Sequence, residues 1–129
     1  MTNALELLLG AGMRILVIDD EPAVAGVLAE ALRDDGNDVI VAGGGEEALQ
    51  VLAQNAPDAV FLDIVMPGMD GIEVLRRIRS VYPDLPVIIL SGWVSPGQLE
   101  SARRLGVTDV LQKPVALRTL SRALAQTHR

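Results

Sequence analysis

The chain has 129 residues, half of them apolar and 22% charged, with a formal net charge of −6. That length suits one domain, and that balance belongs to a folded chain rather than a disordered one. The acidic surplus argues against a direct nucleic-acid or acidic-membrane binder, since phosphate binding needs a basic footprint. The absence of cysteine excludes a disulfide scaffold, thiolate zinc sites and a cysteine nucleophile.

Aromatic residues are limited to Phe61, Tyr82 and Trp93, so the core must come from Leu, Val, Ile and Ala. The apolar run from Leu7 to Met13 is too short to span a bilayer. No basic residue precedes it, which argues against a secretory signal and makes a cytoplasmic location the expectation. Lys113 is the single lysine among eleven basic Lys and Arg residues. A chain that uses arginine everywhere else has a reason to place an ammonium there.

In chain order, Arg14–Ile18 is a short, β-branched apolar run that predicts a strand buried on both faces. Pro22 suits the first turn of a helix, with Val24, Val27, Leu28, Ala31 and Leu32 on its apolar stripe and Gly36 ending it. Val39–Ala42 predicts a second strand, Gly43–Gly45 a turn, and Glu46–Gln54 a helix with acids in its first turn. A third strand is expected over Asp58–Leu62. Asp70 caps a third helix striped by Ile72, Leu75 and Ile78. Pro86–Leu90 predicts a fourth strand. Ser95-Pro96-Gly97-Gln98 reads as a capping box with proline at the first helical position, and Gly106 stops that helix. Val107–Leu111 is the weakest predicted strand, and Leu117, Leu120 and Leu124 stripe a last helix. Residues 1–12 fit none of these units and read as an N-terminal extension to one domain over 13–129.

Strands alternating with helices imply an α/β fold, a doubly wound parallel sheet with helices on both faces. In such sheets ligands bind outside the carboxyl ends of the strands. That rim gathers Asp19, Asp20 and Glu21 after the first strand, Asp63 after the third, Ser91 after the fourth and Lys113 after the fifth. Clustered carboxylates repel one another, and a hard divalent cation such as Mg²⁺, which favours oxygen ligands, relieves the conflict. A carboxylate can also attack phosphorus to give an acyl phosphate, with a cation and a lysine neutralising the phosphoryl oxygens.

Four motifs on this rim carry a family resemblance: Ile18-Asp19-Asp20-Glu21-Pro22, Leu62-Asp63 through Met66-Pro67-Gly68-Met69-Asp70-Gly71, Leu90-Ser91-Gly92 and Gln112-Lys113-Pro114. Together, in that order at strand ends, they resemble the CheY-like receiver domain of two-component response regulators, from residue 14 to about 127. The resemblance implies a five-stranded sheet in the order 2-1-3-4-5. It makes Asp63 the phosphoacceptor and Asp19 and Asp20 the acidic pair for Mg²⁺ or Mn²⁺, with the Val65 carbonyl as a further ligand. Ser91 becomes the switch hydroxyl, Lys113 the lysine that contacts the phosphoryl group, and Pro114 the residue that holds the lysine loop. Glu21 stands at most behind the ligands. The implied partner is a sensor histidine kinase or a histidine phosphotransfer protein, and the implied output is altered partner binding, with a phosphorylation-dependent dimer left open. The domain would catalyse only its own phosphorylation and dephosphorylation. The sequence departs from the family at Val110 and Val115, where aromatic rings are common.

Other readings weigh less. A flavodoxin-like cofactor binder needs a phosphate loop after the first strand, where Asp19-Asp20-Glu21 would repel a phosphate. A phosphatase that forms an aspartyl phosphate would carry its nucleophile on the first strand, with a cap domain. A receiver that works without phosphorylation is kept open by Val110. Arg76, Arg77, Arg79 and the pair Arg103–Arg104 read as solvated helix faces. Trp93 reads as a loop-capping aromatic in preference to a partner anchor, and His128 has no companion that would give it a role.

Overall fold

Alternation within the strands decides which helix lies on which face. Successive strand residues point to opposite sides of a sheet, so Ile15, Val17, Ala59, Phe61, Ile88 and Leu90 form one buried layer. Leu16, Ile18, Val60, Leu62, Val87 and Ile89 form the other. The computed structural model describes residues 12–66, 70–113 and 122–123. Its elements run β1 (Arg14–Ile18), α1 (Pro22–Asp34), β2 (Asp38–Ala42), α2 (Gly45–Gln54), β3 (Ala59–Leu62), α3 (Gly71–Val81), β4 (Val87–Ser91), α4 (Pro96–Arg104) and β5 (Asp109–Gln112). All strand pairs are parallel, in the order β2-β1-β3-β4-β5.

Helix α1 packs on the first layer through Ala25, Leu28, Ala29 and Leu32. Ala123 joins this layer; the other apolar positions of the last expected helix, and Pro114 and Val115, lie outside the described residues, as do residues 1–11. Helices α2, α3 and α4 cover the second layer through Ala48 and Leu52, through Ile72, Leu75 and Ile78, and through Ala102. The sheet is therefore doubly wound, as expected.

The α1 stripe is rotated from the predicted one. Val27 is 71% exposed and Val24 37%; the face that reaches the sheet is centred on Ala25 and Ala29, whose small side chains let the helix approach closely. Strand edges also slide, β2 beginning one residue early at Asp38. β3 begins at Ala59, and Asp58 just before it ties to the start of β1, its carboxylate accepting the Arg14 N–H. β4 runs Val87–Ser91 rather than from Pro86, which has no N–H to give the ladder. β5 begins at Asp109, two residues later than predicted. The helix starts follow their caps. Asp70 accepts the Ile72 N–H, and the Ser95–Gln98 capping box is complete. Gly36 and Gly106 take positive φ after α1 and α4, the conformation glycine adopts freely. Gly45 belongs to α2 rather than to the turn before it.

Candidate functional site

The ends of four neighbouring strands set the positions of the polar rim. The Asp19 N–H continues the sheet by donating to Ala42 O at 3.1 Å, the Asp63 N–H donates to Ile18 O at 2.9 Å, and the Lys113 N–H donates to Ser91 O at 2.9 Å. Each functional side chain is thus fixed by a main-chain bond to the neighbouring strand. Ser91 is the last residue of β4 itself rather than the first residue after it, because the strand ends one position later than expected.

Asp19 and Asp63 are buried and built alike. Asp19 Oδ1 accepts the Glu21 N–H at 3.0 Å, and Asp63 Oδ1 accepts the Val65 N–H at 2.9 Å. Their second oxygens converge on one cation: Lys113 Nζ lies 2.6 Å from Asp19 Oδ2 and 3.1 Å from Asp63 Oδ2. Glu21 Oε1 stands 3.8 Å from the same nitrogen. The Lys113 side chain is 16% exposed. Its burial lowers the ammonium's pKa, but the hydrogen bonds it donates to Asp19 and Asp63 and their negative charges outweigh that, leaving it above its ordinary value. Ser91 Oγ completes the group, 3.5 Å from Asp63 Oδ1 and 3.2 Å from the Trp93 carbonyl oxygen.

The donor set suits a hard divalent cation. Carboxylate oxygens of Asp19, Asp20, Glu21 and Asp63 all lie within 4.8 Å of one another. Three of these carboxylates, on Asp19, Glu21 and Asp63, also face the single Lys113 ammonium, and oxygen donors are what magnesium-type cations take as ligands. Asp19, Asp20, Asp63, Ser91 and Lys113 are all brought together, and Glu21 joins them. Pro67–Met69 lie outside the described residues.

Two residues depart from their sequence reading. Trp93 is 68% exposed, so its ring stands largely in solvent. Arg79 does not belong to a solvated face: its guanidinium donates to the carbonyls of Tyr82, Leu85, Leu105 and Gly106. Two of these acceptors, Leu105 and Gly106, follow α4, so Arg79 caps the carbonyl end of a helix it does not belong to. Burial draws its pKa below the ordinary arginine value, against the charge of Asp84. Its partners lie up to 27 positions away and are all main-chain oxygens, which no local pattern announces. Arg76, Arg77, Arg103 and Arg104 are exposed, as expected.

A five-stranded parallel sheet with buried aspartates, a hydroxyl and a lysine on its carboxyl rim defines a class of signalling domain. The response regulator receiver domain family matches residues 15–125, and the chain belongs to it. It is accordingly a receiver domain of the two-component phosphorelay type. Response regulator MprA of Mycobacterium sp. (strain KMS) is 44% identical over 108 residues, which cover 84% of this chain and 47% of that protein. The chain spans about half the length of the curated relatives it matches. A receiver domain protein from Clostridium thermocellum superposes with a TM-score of 0.83 at 34% identity, over 89% of this chain and 93% of its own. A response regulator from Burkholderia pseudomallei, with a phosphorylated aspartic acid, calcium ion and citrate, superposes with a TM-score of 0.81 at 27% identity, over 87% of this chain and 66% of its own. Among the described residues no helix is long and apolar enough to cross a membrane.

Proposed function

We propose that the domain formed by residues 13–129 accepts a phosphoryl group on Asp63 from a phosphohistidine of a sensor histidine kinase or histidine phosphotransfer protein, and so switches its binding to an output partner in the cytoplasm. The observation that carries this reading is the Lys113 ammonium held between the free oxygens of Asp19 and Asp63, 2.6 and 3.1 Å away. A carboxylate oxygen of Asp63 attacks phosphorus; the new O–P bond forms as the N–P bond of the phosphoimidazole breaks. The electron pair returns to the imidazole, which leaves as the neutral ring after taking a proton. Lys113 neutralises charge on the transferred group, and Ser91 donates its hydroxyl proton to a phosphoryl oxygen. Mg²⁺ or Mn²⁺, held by Asp19, Asp20, Asp63 and the Val65 carbonyl, would supply further positive charge to the phosphoryl oxygens. The phosphorylated aspartic acid and calcium ion of the Burkholderia pseudomallei relative support this use of the rim. The later hydrolysis of the acyl phosphate resets the domain, so its catalysis acts on itself alone. Its output is a protein contact, in keeping with a net charge of −6.

The test is intact mass after incubation with acetyl phosphate and Mg²⁺. Wild type should gain one phosphoryl group, Asp63→Asn none, and EDTA should prevent the gain. A wild type that gains nothing, or an Asp63→Asn variant that gains as much, would overturn the assignment.

A further inference from the structure

The acids that reach Lys113 differ in their surroundings. The side chains of Asp19 and Asp63 are 3% and 5% exposed, and that of Glu21 is 62% exposed. The two aspartates lie 2.6 and 3.1 Å from the ammonium, while Glu21 Oε1 stands at 3.8 Å, too far for a hydrogen bond. The main chain of Glu21 is nonetheless fixed. Its N–H donates to Asp19 Oδ1 at 3.0 Å, and its carbonyl accepts the Ala25 N–H at 2.9 Å as α1 begins. Its side chain makes no capping bond there. A rigid backbone thus holds a solvent-facing carboxylate at the lip of the site. Among the described residues its one ionic partner is Lys113.

The distribution of charge sets Glu21 apart. Asp19, Asp20 and Asp63 carry three negative charges on the rim. Lys113 carries one positive charge, and a divalent cation on the aspartates would bring two more. The rim is then balanced without Glu21, whose charge is surplus. Its carboxylate oxygen is within 4.8 Å of one on Asp63, so a donor seated for transfer comes close to it.

We infer that Glu21 is a specificity-determining residue: its surplus charge at the lip of the site disfavours small phosphoryl donors that arrive as dianions. This rests on the reading of Asp63 as acceptor. Two like charges about 5 Å apart in water repel enough to slow a reaction roughly fourfold, and a dianion meets that repulsion twice. Salt of physiological strength screens over about 8 Å, so the effect acts on a donor in the site and fades beyond it. A histidine-borne phosphoryl group arrives on a protein whose own cationic side chains can face Glu21. A free dianion brings no such charge.

Two small donors test this. Near neutral pH acetyl phosphate is a dianion, and phosphoramidate is a zwitterion with one net negative charge. Each forms the same O–P bond to Asp63, the first releasing acetate and the second ammonia. Rates are read by intact mass, with Mg²⁺ raised until they no longer depend on it. Glu21→Gln should speed the acetyl phosphate reaction by about threefold or more and the phosphoramidate reaction by less, and its advantage should shrink as salt is raised. Glu21→Asp, which keeps the charge, should stay near wild type. The gain in melting temperature with Mg²⁺ should persist in Glu21→Gln. An equal change for both donors, a slower acetyl phosphate reaction, a Glu21→Asp variant as fast as Glu21→Gln, or loss of the Mg²⁺ gain overturns the inference and leaves the acceptor assignment standing. No added mass on wild type with either donor overturns both.

Discussion

Replacing Arg79 by alanine removes four hydrogen bonds at once, and their sum can be worked from the geometry. Three of the bonds, to Tyr82, Leu85 and Leu105, are part-buried, and the fourth, to Gly106, is exposed. Bonds from a charged donor are worth about 1.5 kcal/mol each at the low end, and the exposed one is counted as nothing. Holding the long side chain in place costs about 2 kcal/mol of rotamer entropy, which the alanine variant no longer loses. The net loss expected for Arg79→Ala is therefore about 2.5 kcal/mol, or roughly 10 °C in melting temperature for a domain of this size. Urea denaturation at unchanged m-value measures it. Arg79→Lys should recover less than half, because one ammonium cannot reach the ends of both α3 and α4. A loss under about 1 kcal/mol, or full recovery by lysine, would refute the claim that the guanidinium fork joins these two helix ends.

The raised pKa of Lys113 means that the folded chain binds that proton more tightly than the unfolded chain. Its contribution to stability is complete below the unfolded lysine value of about 10.4 and is lost as pH rises through the higher folded value. Melting temperature should show no Lys113-dependent change near neutrality, and an alkaline fall that Lys113→Met lacks. A Cβ added at Gly71 would stand 2.2 Å from Ile64 Cα, so Gly71→Ala should lose about 1–3 kcal/mol in urea denaturation. It should also slow phosphorylation of Asp63, which precedes Ile64 in the chain. Millimolar Mg²⁺ should raise the wild-type melting temperature by mass action, and Asp20→Asn should abolish most of that gain in the same thermal scan.

What the sequence made legible follows from where the information sits. β1 matches its predicted limits residue for residue, because Ile15–Ile18 is a run that tolerates no polar face. The starts of α3 and α4 match because Asp70, Ser95 and Gln98 cap locally. The rim residues were found because parallel strands bring their carboxyl ends together whatever lies between them. The α1 face was misjudged because Val24 and Val27 are apolar yet lie beside the contact, while the residues that touch the sheet include two alanines. Arg79 escaped because its acceptors are carbonyls contributed by a distant turn. Trp93 was misplaced for a related reason: an aromatic beside a buried serine does not reveal whether its ring or its carbonyl faces inward.

The shared construction of Asp19 and Asp63 bears on how the domain's silent form can be imitated. In each, one oxygen shapes its own loop by accepting a main-chain N–H, and the other faces Lys113. An amide at position 63 cannot reproduce both roles. With its oxygen on the Val65 N–H, its NH₂ group points at the ammonium, donor against donor; flipped, it leaves the loop unsupported. In the first case Lys113 is left to Asp19 and Glu21; in the second it keeps its contact at position 63 but the Val65 N–H faces another donor. On the proposed reading of Asp63 as acceptor, Asp63→Asn would block phosphorylation without preserving the unphosphorylated rim, and the faithful off-state for a partner-binding comparison would be the native chain kept free of phosphodonor.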